Sequence, residues 1–361
     1  MRLASVLLLI MLALTGCSYV SEVEQRIMVY ALGVDREEDG NFSVSYQVFD
    51  PSGDKGSSPV GADEKNIKII ETKGKSLFEC EKQVELMTGK EIFVGDTELI
   101  VLGDSIKNED IEKLMSYFRN SKDIYLGTDM IFSSGKAIEV IDVSKSKKGV
   151  DPQSLGLMLS AAVSSSRAYS SRVIEVTNEM SESNSMVIPI MTVEKDEEGQ
   201  PYPKGVMTNM LLVDGRGVDT LNEDEAKGAR LLRGNAKMLS LNIPEGEYES
   251  AAVVKIKKTK RSVEIGQNGY PAVTVRIEGE ISITENPSDT DREVLRLAAQ
   301  KELVKCCDLA YQKAMKNSAD IFEIGLMLQK YQPRYYDEMR QNFENVLENT
   351  EFQVFITLQT R

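Results

Sequence analysis

The sequence predicts a mixed α/β protein of the α+β type. Three consecutive α/β domains, mixed sheets packed with helices, follow a short N-terminal processing segment. Three observations predict this. Short apolar strands alternate with helical patterns over residues 27–132, an order that makes a sheet covered by helices. Leu295, Ala299, Leu303, Cys306, Ala310 and Ala314 step by three or four and form one buried stripe on a long helix. Long strands with period-two patterning occupy much of the last third.

Composition narrows the function before any motif is read. The chain has 361 residues, 41% hydrophobic and 28% charged, as expected of folded domains. Forty-three basic against 57 acidic residues give a net charge of −14, which disfavours binding to phosphate backbones, so no nucleic-acid partner is expected. There is no histidine. Ser-His-Asp and Cys-His nucleophiles, His-ligated zinc and His general bases are therefore excluded.

Residues 1–17 read MRLASVLLLIMLALTGC. A basic start and an apolar stretch too short to span a bilayer have the form of a secretory signal. Leu14-Thr15-Gly16-Cys17 then has the form of a bacterial lipobox, in which small residues fit the peptidase pocket and the Cys17 thiol accepts a diacylglyceryl group. The alternative is a plain secretory signal in which a cysteine happens to fall there. With cleavage before Cys17, residues 1–16 are the lipoprotein signal peptide and Cys17 is the lipidation site. Two acyl chains meet the requirement for stable anchoring. Loss of Arg2 leaves the remainder one unit more negative, so the body is expected to stand off anionic headgroups.

The elements follow in order. Residues 27–35 and the alternation of Phe42, Val44, Tyr46 and Val48 predict a hairpin. Residues 50–61 read as an exposed Pro/Gly/Ser-rich loop. Helices are predicted over 75–87 and from Asp110 to Phe118, with strands at 98–102 and 126–132. A basic spacer at 145–151 precedes a small-residue helix (155–163), a Ser-rich stretch and a strand at 186–193. Asp214-Gly215 lies between the strands 206–213 and 218–221 as a hairpin signal. Asn222 with Glu225 reads as a capping box. Val254 and Ile256 fall on even positions, Val263 and Ile265 on odd ones, so a bulge or turn is expected near 258–262. A partner strand runs from Val273 to Ile283 after an Asn268-Gly269 turn. Ser288 is the expected cap of the long helix, Gly325 and Pro333 bound the next turns, and 352–358 form a terminal strand. Domain limits are placed at 17–145, 146–235 and 236–361.

Candidate chemistry is sparse. Three cysteines remain, Cys80, Cys306 and Cys307; an odd number rules out a full disulfide framework. They read as small buried hydrophobes, since a C-C pair without other cysteines or histidines is a poor metal site. Lys255, Lys257, Lys258, Lys260 and Arg261 form a basic cluster. It suits either contact with an acidic partner or lipid headgroups, or the solvated face of an exposed strand, where charges discourage edge pairing. No carboxylate pair sits in a recognisable motif, and no Walker, EF-hand or Gly-x-Ser-x-Gly pattern occurs. The reading is therefore of no catalytic residues, no metal and no cofactor.

Several segments together resemble the Ger(x)C family of spore-germination lipoproteins, the C subunits of nutrient germinant receptors. They are Ala31-Leu32-Gly33-Val34-Asp35, Lys73 to Leu77, and Gly95 to Gly103. The spaced set Leu221, Glu225, Gly228, Gly234 and Lys237 and a C-terminal signature from Asp308 through Gly325 to Pro333 complete the resemblance. Two positions depart from it: Ser18-Tyr19 follows the lipid cysteine where many members carry Trp-Asp, and Asp96 stands where members often carry His. The resemblance implies three α/β domains, anchorage on the outer face of the spore inner membrane, and assembly with two integral-membrane subunits, A and B. It implies no enzymatic activity. An extracytoplasmic solute-binding lipoprotein is the alternative, and it would need two lobes around an apolar cleft with convergent polar groups.

Overall fold

The computed structural model describes residues 25–49, 67–121, 123–142, 152–182, 185–213, 216–245 and 248–360. Cys17, the 50–61 loop, the 145–151 spacer and Asp214-Gly215 lie outside them.

The predicted first hairpin is present. Strand β1 (Arg26–Arg36) pairs antiparallel with β2 (Phe42–Phe49), with Val34 opposite Val44. Gly40 takes a left-handed φ of 83° in the turn. Strand β3 (Ile67–Gly74) adds to β2 and was not signalled by the sequence reading. Helix α1 (Leu77–Thr88) starts on Ser76, whose hydroxyl accepts from Glu79 N at 3.2 Å, and ends on a left-handed Gly89. Strands β4 (Glu91–Phe93) and β5 (Leu99–Leu102) lie parallel to β1. Helix α2 (Asn108–Asn120) begins two residues before Asp110. Asp110 sits in its first turn, where its carboxylate accepts from Lys107 N at 3.2 Å and pairs with Arg36 at 3.4 Å.

Strand β6 (Asp129–Ser133) starts later than the predicted 126, because a turn occupies Leu126 and Gly127. Helices α3 (Ile138–Ile141), α4 (Pro152–Ser164) and α5 (Val173–Glu182) follow. The last of these falls after the Ser-rich stretch and was not foreseen. Strands β7 (Ser185–Lys195), β8 (Pro201–Val213) and β9 (Arg216–Leu221) are antiparallel neighbours. All nine strands form one sheet in the order β3-β2-β1-β5-β6-β7-β8-β9, with β4 beside β1. Strands on both sides of residue 145 therefore share a sheet. Its parallel centre is covered on both faces. Ile100 and Leu102 point to a cluster shared with α1, α2 and α5; Leu99 and Val101 point to one shared with α3 and α4.

Helix α6 (Glu223–Arg233) opens the second half. A four-stranded sheet follows, β10-β11-β12-β13, built from β10 (Met238–Glu245), β11 (Tyr248–Ile265), β12 (Pro271–Glu285) and β13 (Glu351–Thr360). Only the last pair is parallel. The expected parity change is a register shift between Ile256 and Lys258, inside one continuous strand. Helix α7 (Arg292–Lys316) buries the whole predicted stripe, all of it but Cys306 in the cluster shared with this sheet. Its cap is Asp291, which accepts from Glu293 N at 2.8 Å, and not Ser288. Asn286 bonds Thr290 through both backbone groups and closes a turn over 286–290, so the helix cannot start earlier. Helices α8 (Ile324–Tyr331), α9 (Pro333–Met339) and α10 (Phe343–Glu348) complete the layer. Gly325 lies inside α8 rather than bounding a turn, while Pro333 starts α9 as predicted.

Candidate functional site

The residues that carried the family resemblance are parts of the frame. Asp35 ends β1 with both carboxylate oxygens 3.1 Å from Ala137 N, capping α3 across 102 residues of chain. A Cβ on Gly103 would come 1.8 Å from the Asp35 Oδ1, and one on Gly33 would meet Ala137 at 3.1 Å. The approach at Gly103 leaves no room for a side chain, and the one at Gly33 is tight. Burial pushes the Asp35 carboxyl up to about 6, against the Ala137 N–H that favours its charge.

Helix α6 holds most of the spaced set. Leu221 is buried ahead of it, and Asn222 and Glu225 form the predicted capping box at 2.9 and 2.8 Å. Gly228 is where α6 crosses α7: a Cβ there would lie 1.9 Å from the Cys306 carbonyl oxygen. Gly234 closes the helix at φ 84°. The signature residue Lys313 of α7 reaches Asp219 at 3.2 Å and Glu225 at 3.5 Å. Asp320 accepts from Ile324 N at 2.7 Å and Gly325 N at 2.8 Å, which starts α8. Burial outweighs those two donors and raises its carboxyl to about 7.

From this frame α6 projects two arginines that couple the two sheets. Arg230 donates to the carbonyls of Val163, in the last turn of α4, and Ala168, beyond its end, at 2.7 and 2.6 Å. Arg233 lies between Glu179 of α5, at 2.7 Å, and Glu323 at the start of α8, at 2.8 Å. Arg261 of β11 adds a contact to Glu323 at 3.4 Å and donates to the carbonyls of Arg233, at 2.9 Å, and Phe322. Burial opposes the charge on Arg233, yet the two glutamates hold its pKa above the ordinary arginine value. Burial raises Glu179 although Arg233 faces it. Beside this junction lies a cleft of about 370 Å³, lined by Arg233, Arg261, Glu323, Met327, Lys330 and Tyr331. Arg233 and Arg261 are already paired with Glu323 there, so these charges couple the two halves of the molecule.

The basic cluster seen in the sequence is divided. Arg261 turns inward to the junction, Lys257 pairs with Glu280 at 2.9 Å, and Lys255, Lys258 and Lys260 are exposed. Strand β10 pairs β11 only as far as Lys255, so the exposed lysines beyond it flank a strand edge. The three described cysteines are buried and form no disulfide; burial raises Cys80 to about 11 and Cys306 to about 12. Among the described residues no group of His, Cys, Asp or Glu is placed to hold a metal, and no helix is long and apolar enough to cross a membrane.

A second cleft, of about 410 Å³, lies at the amino ends of β5 and β6, between the 95–98 loop, the 125–129 segment and the start of α4. The junction itself was not legible. No motif singles out Arg230 or Arg233, and their partners lie about 50 to 90 residues away.

Comparison with known proteins covers nearly the whole chain. Residues 19–193 match the family described as Spore germination protein N-terminal domain. Residues 208–361 match Spore germination B3/ GerAC like, C-terminal. The chain is 22% identical to Spore germination protein KC of Bacillus subtilis (strain 168), over 95% of this chain and 90% of that protein. It is 18% identical to Spore germination protein B3 of the same organism, over 98% and 95%. The crystal structure of the GerBC protein superposes with a TM-score of 0.58 at 14% identity, over 94% of this chain and 99% of that one. That likeness shows a shared fold.

Proposed function

Since the chain belongs to the GerAC-like spore germination family, we propose that it is the non-catalytic, lipid-anchored subunit of a nutrient germinant receptor. In this reading Cys17 carries the diacylglyceryl anchor and the body sits on the outer face of the spore inner membrane. Its partners there are two integral-membrane subunits, A and B. The observation that carries the reading is the end-to-end family match combined with what the matched residues do. Asp35, Gly103, Gly228, Lys313 and Asp320 hold helices, crossings and caps in place. A family whose recognisable residues build a frame is using its surface, not a reaction centre.

The alternative, a solute-binding lipoprotein, requires an apolar cleft with convergent polar groups. The cleft at the junction is lined instead by charged side chains, of which Arg233 and Arg261 are already paired with Glu323.

The test is membrane fractionation of a chain beginning at Ser18, exported by an unrelated signal, beside the parent, with germination scored in parallel. The parent is expected in the membrane fraction and the Ser18 chain in the soluble fraction, folded but without germination function, because partner encounter depends on confinement to one surface. A Ser18 chain that still pellets with membranes lacking the A and B subunits would show a second membrane determinant. Soluble protein with normal germination would remove the need for confinement.

A further inference from the structure

Most of the large exposed apolar side chains in the first half of the molecule gather at one end of the nine-stranded sheet. Strands β1, β4, β5 and β6 run parallel, so their amino ends share a side. Arg26 starts β1 beside Glu91, which it contacts at 3.2 Å, and α1 finishes at Thr88 just before β4. The last turn of α1 therefore lies at this end, carrying Leu86, 84% exposed, and Met87, 67% exposed. Tyr125 (67%) and Leu157 (68%) line the cleft at the amino ends of β5 and β6. Exposed apolar side chains scattered singly need no account, but a cluster at one end of a body does.

The covalent chain says what lies opposite. Nine residue steps separate Cys17 from Arg26, a reach of at most about 30 Å whatever its conformation. The carboxyl end of β1 is ten residues further on, about 33 Å away. We propose that the amino end of the nine-stranded sheet faces the bilayer, with Leu86, Met87, Tyr125 and Leu157 seated in its headgroup region. This rests on the reading of Cys17 as the lipid anchor. The contact is apolar rather than ionic: Asp96 and Glu98 are exposed at the same end, and the Arg26 and Lys82 charges are paired with Glu91 and Glu85. Tyrosine suits such a position because its ring is apolar and its hydroxyl stays wet. Lys68, exposed at the start of β3, stands at the same end, so charges of both signs are present and electrically neutral lipid is sufficient.

The lipidated full-length protein, reconstituted in phosphatidylcholine vesicles containing headgroup-spin-labelled lipid, tests this. Leu86→Cys, Leu157→Cys and Glu38→Cys each take a fluorophore, the native Cys80, Cys306 and Cys307 being buried. Glu38 is exposed at the far end of β1. The expected result is loss of most emission at positions 86 and 157 and none at 38, in phosphatidylcholine alone and without need of phosphatidylglycerol. Equal quenching at all three positions, or quenching only with phosphatidylglycerol, overturns the orientation. Protein that floats with vesicles but is quenched at none of the positions overturns the orientation and leaves the anchor standing. Protein that does not float removes the anchor and the orientation with it. Shielding of 86 and 157 in native spore membranes but never in protein-free vesicles means that a protein, not lipid, covers this end.

Discussion

At the residue scale, two glycines and two aspartates carry testable constraints. A Cβ at Gly228 would overlap the Cys306 carbonyl of the facing helix, and backbone cannot step aside as a side-chain tip can. Gly228→Val should cost about 3 kcal/mol, at the upper end of the overpacking range. Gly234→Val should cost about 1–2 kcal/mol for its left-handed φ. Thermal melting of both variants checks this, and wild-type melting in either would remove the packing account. The aspartates give a pH signature. With no histidine in the chain, carboxyls raised by burial dominate between pH 5.5 and 8. Asp35 near 6 and Asp320 near 7 sit above their unfolded values of 3.8, so the folded state holds protons more tightly than the unfolded one. Their contribution is complete below about pH 4 and is lost as pH rises through 6 and 7. The melting temperature should therefore be higher at pH 5.5 than at pH 8, and Asp320→Asn should flatten that difference. A wild-type profile that rises from pH 5.5 to 8 contradicts the assignment.

At the element scale, the long helix and its sheet were readable because their periods are strong. The stripe from Leu295 to Ala314 is buried at every position named. Ala310→Glu would put an unpaired carboxylate into that layer and should cost about 3–5 kcal/mol; soluble, fully folded variant protein would place the stripe in solvent. The register shift in β11 was legible from the parity of four apolar residues. Other elements were not. Strand β3 mixes Ile67, Ile69 and Ile70 across both faces of an edge strand, which blurs a period of two. Strand β10 alternates Leu239, Leu241 and Ile243, but Pro244 argues against a strand unless it lies on an edge, as this one does. Helix α5 carries Val173, Ile174, Val176 and Thr177, β-branched residues of low helix propensity. Packing against β7 and α2 decides its state.

At the scale of the whole molecule, two sheets are coupled through α6. The sequence marked that helix by its cap and glycines, but not by the arginines that make the coupling. Arg233→Met would leave Glu179 and Glu323 facing each other, half-buried, and should cost about 2–3 kcal/mol. Hydrogen exchange should quicken in α5 and α8 while the centre of the nine-stranded sheet keeps its protection; unchanged exchange in both helices would mean that Arg230 and apolar packing alone join the halves. The central claim is that this chain works within a complex of integral-membrane partners, and crosslinking in intact spore membranes followed by identification of the captured chains tests it most directly. The account predicts capture of the two integral-membrane receptor subunits by the anchored protein and loss of that capture when the chain begins at Ser18. Capture of neither subunit by anchored, folded protein would contradict it.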